Sequence, residues 1–170
     1  MKYEYLDHTA DLKIRAYGNT LEEAFVNTAV GGFDFLTDTK KVKKKIEKKL
    51  ELKANRLESL LYDFLEQLLF LLDTEGYILA EIKDLKITEE KTSESSKAKP
   101  LSAKDKSLSN SSKMNISEDK NNKKFSLQCI VLGDNYENYE VKGNIKSVTY
   151  SEMSIKKDKG NYVIEVVLDI

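Results

Sequence analysis

The residues of this chain best suited to chemistry are carboxylates placed at the ends of elements. Asp7 and Asp11 flank a short polar link in Leu6-Asp7-His8-Thr9-Ala10-Asp11, and Asp34 and Asp38 follow the first predicted helix. Asp169 precedes Ile170, so a side-chain carboxylate stands next to the α-carboxylate of the final residue. Gathered carboxylates repel one another unless a cation neutralises them, and hard oxygen donors suit Ca²⁺ or Mg²⁺. The competing reading is that these acids cap turns and helix ends. Spacing leaves both readings open.

Other chemistries find less support. One Cys and one His cannot build a structural zinc site, and no Ser-His-Asp or Cys-His relay is evident. His8, the sole imidazole, reads as hydrogen-bonded within its turn rather than catalytic. Phosphate-binding glycine motifs are absent. The run from Lys40 to Lys49 holds seven lysines, which invites a nucleic-acid reading. Yet Val42, Ile46 and Leu50 interleave with them, Glu47 and Glu51 partly neutralise them, and no stacking aromatic sits among them. The run therefore reads as a solvated face. Lys146, between Ile145 and Ser147, reads as an exposed strand lysine.

Composition narrows the setting. The 170 residues carry 28 Lys and Arg against 29 Asp and Glu, so no global charge draws the chain to nucleic acid or anionic lipid. A single cysteine, Cys129, forbids an internal disulfide. No cationic start leads into an apolar segment, and the longest greasy stretch, Phe64 to Leu72, falls far short of the ~20 residues that span a bilayer. The expectation is a cytoplasmic protein without membrane contact.

These residues need elements to position them. Leu12, Ile14 and Ala16 alternate with Lys13, Arg15 and Tyr17 as in a half-buried strand closed by Gly18-Asn19. Thr20 and Glu23 have capping-box spacing, and Leu21, Ala24, Phe25, Thr28, Gly32, Phe33 and Leu36 mark a helical face. A two-faced strand follows, with Ile46, Leu50, Leu52 and Ala54 on one side. Asn55 and Glu58 fit a cap and its partner for a second helix, with Leu57, Leu60, Leu61, Phe64, Leu68 and Leu71 inward and Gly76 near its end. Later segments read as strands: Glu81–Thr88, Phe125–Val131, Ile145–Ile155, and Tyr162–Leu168 covered on both faces. Between the first two of these, Glu89 to Lys124 holds nine Ser, nine Lys and no aromatic. It reads as a disordered insertion at a hairpin tip, too polar to offset its ordering entropy. The whole predicts one α+β domain over residues 1–170, with eight strands and two helices packed on mainly antiparallel or mixed β-sheet.

Several motifs together resemble the archease family, small protein cofactors of the RtcB-type RNA ligase. They are Tyr3-Glu4-Tyr5-Leu6-Asp7-His8-Thr9-Ala10-Asp11, Gly18-Asn19-Thr20-Leu21-Glu22-Glu23-Ala24-Phe25, Leu36-Thr37-Asp38-Thr39, the leucines and Phe64 of the second helix, Lys146-Ser147-Val148-Thr149-Tyr150, and Leu168-Asp169-Ile170. The resemblance implies an α+β fold, no independent catalysis, and activation of the ligase in tRNA splicing. Activation means promoting guanylylation, the formation of covalent GMP, over multiple turnovers, with tRNA engaged through the ligase. It further implies a divalent cation, calcium in the family with Mg²⁺ or Mn²⁺ as alternatives, on Asp11, Asp169 and Ile170. Lys146 would contact the ligase or a phosphate. The rival expectations are a general chaperone-like or protein-interaction module without metal and, last, a stand-alone metal-dependent phosphoesterase.

Overall fold

The computed structural model describes residues 1–91 and 123–170. Its elements in chain order are β1 (Tyr3–Leu6), β2 (Asp11–Gly18), α1 (Leu21–Leu36), β3 (Ile46–Ala54), α2 (Leu57–Glu75), β4 (Tyr77–Lys91), β5 (Lys123–Asn135), β6 (Ser147–Asp158) and β7 (Asn161–Asp169). The strands form two sheets, one ordered β1-β2-β7-β6 and the other β3-β5-β4. Among the described residues every pairing is antiparallel, so the fold is α+β and its two sheets are not mixed there. Both helices pack against strands of both sheets, which unites the molecule around one core. Phe25 of α1 and Phe64 of α2, both fully buried, stack with ring centroids 6.3 Å apart at its centre.

Local chemistry explains the element ends. Thr20 Oγ1 accepts the Glu23 amide at 3.1 Å, and the Glu23 carboxylate reaches back to the Asn19 amide at 2.7 Å, fastening the start of α1. α2 stops at Gly76, whose φ of 63° is the left-handed conformation that terminates helices. The start of α2 departs from expectation. Its cap is Arg56, not Asn55, and no side chain bonds to the exposed amides there. Burial of the leucine stripe, rather than cap chemistry, sets where this helix begins.

Other boundaries shift as well. Among the described residues there are seven strands, not eight, and the stretch between β5 and β6 holds a short 3₁₀ turn followed by chain outside any strand. β4 and β5 outrun their apolar patterns and pair as far as Lys91 with Lys123, inside the margins of the Glu89–Lys124 segment. Ladder hydrogen bonds are made by the backbone and do not require apolar side chains. The remainder of that segment, 92–122, lies outside the described residues. β6 begins at Ser147, leaving Ile145 and Lys146 just before it. β7 is central, with Ile164, Val166 and Leu168 buried on the helix side; on the opposite face Val167 is buried as well, whereas Val163 and Glu165 are half-buried. The strand is therefore enclosed on both sides at Val166–Leu168, as its apolar run suggests, and only half-covered on its outer face before that.

Candidate functional site

The β2–β7 ladder pairs Leu12 with Leu168, Ile14 with Val166 and Ala16 with Ile164 on its buried face. The same register, continued to the strand ends, sets Asp11 opposite Asp169. Directly opposed residues of an antiparallel pair project from the same face with their Cβ atoms about 4.5–5.5 Å apart. Two carboxylates from opposite ends of the sequence therefore meet on the outer face, both half-exposed. Lys146 arrives from just before β6, on the other side of β7. Its amide donates to the Asp169 carbonyl at 2.8 Å, and its ammonium reaches the Ile170 main-chain oxygen at 3.1 Å. The four residues Asp11, Lys146, Asp169 and Ile170 are thus gathered at one end of the four-stranded sheet. The remaining acids lie elsewhere. Asp34 sits in the last turn of α1, accepting from the Tyr3 hydroxyl and from the Thr39 amide. Asp38 caps the following 3₁₀ turn through the Lys40 amide at 3.2 Å, and Asp7 is exposed. For Asp34 and Asp38 the capping reading holds.

His8 departs from its expected role within a turn. Its Nε2 lies 3.2 Å from the carboxylate of Glu152, 144 residues away, and its Nδ1 lies 3.6 Å from Asp11. Glu152 is delivered by a bulge: between Thr149 and Ser154 the β6–β7 register shifts, and Glu152 adopts a φ of 53°. The same carboxylate accepts from Lys13 at 2.5 Å. Lys13, and to a lesser degree His8, hold the Glu152 carboxyl below the usual carboxylate range, while Lys13 is held above the usual lysine value. Further along, Arg15 grips Glu165 at 2.7 Å. This ladder of alternating charge escaped the sequence reading. The outward positions of Lys13 and Arg15 were legible, but the outward Glu165 and the bulge that aims Glu152 were not.

The donor chemistry of the tip can be tested against a divalent cation. Among the described residues no group of three or more His, Cys, Asp or Glu side chains is placed to hold a metal ion. Only two side-chain carboxylates converge, so a cation here would draw its third oxygen from the main chain at Ile170. With Nε2–H donating to Glu152, the buried and unpartnered Nδ1 of His8 turns a lone pair toward Asp11. The oxygen donors of Asp11, Asp169 and Ile170 suit a hard cation such as Ca²⁺, Mg²⁺ or Mn²⁺ and do not suit a thiophilic one. Among the described residues no helix is long and apolar enough to cross a membrane.

Comparison with known proteins places the fold. Residues 3–170 match the model of the Archease protein family (MTH1598/TM1083). The protein archease of Methanosarcina barkeri (strain Fusaro / DSM 804) is 33% identical over 171 residues, covering 99% of this chain and 96% of its own. The solution structure of Methanobacterium thermoautotrophicum protein 1598 superposes with a TM-score of 0.68 at 28% identity, with 99% of each chain covered. A crystal structure from Thermotoga maritima, described as an archease and possible chaperone, shares the fold at a TM-score of 0.50 and 16% identity, covering 97% of this chain and 94% of that one. With a family model spanning nearly every residue and a relative of matching length at one-third identity, this chain belongs to the archease family.

Proposed function

We propose that this chain is a non-enzymatic activator of an RtcB-type RNA ligase in tRNA splicing, acting in the cytoplasm by promoting guanylylation of the ligase over multiple turnovers. The observation that carries this reading is the meeting of Asp11, Asp169, Ile170 and Lys146 at one accessible end of a sheet. In it, Asp11 and Asp169 hold a divalent cation, Ca²⁺ by preference, together with the Ile170 main-chain oxygen. Bound there, the cation supplies the positive charge that lets an acidic tip approach a nucleoside triphosphate. Lys146 is held by the chain end beside it, so its ammonium is presented at a fixed place to a phosphate or a ligase carboxylate. The ladder through His8, Glu152 and Lys13 braces the link that carries Asp11.

Two measurements test this. First, Ca²⁺ at about a hundred times its dissociation constant stabilises a single-site protein by about 2.7 kcal/mol, so thermal unfolding should shift upward for the unaltered chain and not for Asp11→Asn or Asp169→Asn. Second, covalent GMP on the cognate ligase, followed with GTP over many turnovers, should form faster with this protein and not with either variant or Lys146→Ala. An unchanged rate with the unaltered chain refutes the assignment. The alternative, a general chaperone-like module without metal, draws on the exposed aromatics Phe70 and Tyr150, 57% and 49% accessible. It predicts that Asp11→Asn is silent and that unrelated unfolded clients are protected from aggregation.

A further inference from the structure

The second helix, α2, carries five carboxylates, Glu58, Asp63, Glu66, Asp73 and Glu75, and neither lysine nor arginine. Stability of the helix does not call for this. Acid–base pairs one turn apart would strengthen an exposed face, and Asp73 and Glu75 stand in the last turn, where the helix dipole opposes anions. Among the described residues only Glu75 of the five enters an ion pair, with Lys48 of β3. Other bases on the neighbouring elements are turned elsewhere. Lys49 and Lys53 alternate with Leu50 and Leu52 and so face the opposite side of their sheet, Lys156 and Lys157 lie beyond the β6 bulge, and the Lys146 ammonium sits on the Ile170 oxygen. Arg56 and Glu58 cancel in charge at the helix start.

The remaining acids surround exposed rings. Residues three or four apart share a helix face, so Tyr62, Glu66, Phe70 and Asp73 form one row, with Asp63 beside it. Phe70 is the most exposed ring among the described residues. Tyr150 of β6 lies flat on Tyr62, with ring centroids 4.3 Å apart and planes within 5°, and half of it stays open to solvent. Glu66 is taken by the Val148 amide. Asp63 and Asp73 are exposed and enter no ion pair among the described residues. Desolvation, and after it the Glu66 carboxylate, hold the Tyr62 hydroxyl above its usual value, with Tyr150 and Asp63 adding to the effect. The result is a pair of aromatic anchors rimmed by negative charge.

We propose that this face of α2, together with Tyr150, docks a basic amphipathic helix of a protein partner, whose apolar stripe covers Phe70 while its lysines or arginines meet Asp63, Asp73 and the open face of Tyr150. A cation over an aromatic ring flanked by carboxylates gains from both. The occupant is helical because the neighbouring sheet edge is closed. Glu66 already holds the Val148 amide, so an added strand finds no free donor there, whereas a helix satisfies its own backbone. Nucleic acid and anionic lipid are repelled by the same carboxylates. A second copy meeting this face with its own would set Asp63 and Asp73 against like charges, and meeting it with its lysine run would give a contact that does not close. The face shares no residue with Asp11, Lys146, Asp169 or Ile170, so this inference does not rest on the ligase reading.

The test is fluorescence anisotropy of a labelled peptide of about 18 residues, leucines and lysines at helical spacing, titrated with the full chain across a salt series. Comparison arms are the same peptide with glutamine for lysine, a scrambled peptide of identical composition, and a short oligouridine. The parent peptide should bind, and more weakly as salt screens the rim, while each comparison arm should bind at least about tenfold more weakly. Phe70→Ser should weaken binding about tenfold, the equivalent of leaving one large apolar side chain uncovered. Asp63→Asn/Asp73→Asn should weaken it about fivefold at low salt and flatten the salt dependence. Glu47→Gln/Glu51→Gln, an equal change of charge at exposed positions of β3, should leave it unaltered. Absence of binding at low salt overturns the proposal, as does equal affinity for the scrambled peptide, the glutamine peptide or the oligouridine, or equal weakening by the β3 variant. Phe70→Ser is checked by thermal unfolding. Should it not fold, Asp63→Asn/Asp73→Asn decides, because unchanged affinity there also overturns the proposal.

Discussion

Replacing Glu66 by leucine isolates the interaction that holds the edge of the candidate tip. β6 is the outer strand of its sheet, so alternate amides along it face away from β7 and lack a ladder partner. The Val148 amide is one of these, and it donates to the Glu66 carboxylate of α2 at 2.6 Å. The neighbouring residues are those that build the tip: Val148 opposes Leu168, Ser147 opposes Asp169, and Lys146 donates to Asp169. A hydrogen bond to a charged acceptor contributes about 1.5–3 kcal/mol, and leucine leaves the half-buried amide unpaired, so Glu66→Leu should cost about 2 kcal/mol. Glu66→Gln keeps an acceptor of the same reach and should lose less than half of that. Urea unfolding gives the global figure. Amide hydrogen exchange gives the local one, and protection at Val148 and Lys146 should fall roughly 30-fold in the leucine variant, the equivalent of about 2 kcal/mol. If Glu66→Leu unfolds within about 0.5 kcal/mol of the unaltered chain and exchange at Val148 is unchanged, the carboxylate does not anchor the strand.

Two further outcomes follow from the caps and from a buried acid. Thr20→Ala should destabilise the protein by about 1 kcal/mol in urea unfolding, whereas Asn55→Ala should stay within about 0.5 kcal/mol, because only Thr20 bonds to a helix amide. The Tyr139 hydroxyl, with the Asn135 amide and Lys45, holds the Asp134 carboxyl below the usual carboxylate range despite its burial. The unfolded chain then takes up the proton more readily, so this group stabilises the fold fully above its unfolded value near pH 4, and the contribution is lost as pH falls through the depressed native value. Asp134→Asn should accordingly be less stable than the unaltered chain at pH 7, with the gap closing on acidification, as read by thermal unfolding across pH. A gap independent of pH would contradict the assignment of the shift.

What the amino-acid sequence determines here is what depends on near neighbours. The alternation in Leu12–Tyr17, the face of α1, the Thr20–Glu23 box and the stop at Gly76 all report interactions within a turn or two of chain, and each appears in the structure. The motifs of the opening segment and the chain end likewise identified the family before any contact was seen. Placement of partners that are distant in sequence belongs to tertiary structure alone. The division into two sheets, the register that sets Asp11 opposite Asp169, the bulge that aims Glu152 at His8 and Lys13, and the stacking of Tyr150 on Tyr62 are such placements. They arise because burial of one shared core, stronger than any local preference, selects a single registration of each strand against the rest. Once the buried face is satisfied, the outer face inherits whatever neighbours that registration brings, and on this protein those neighbours form the candidate site.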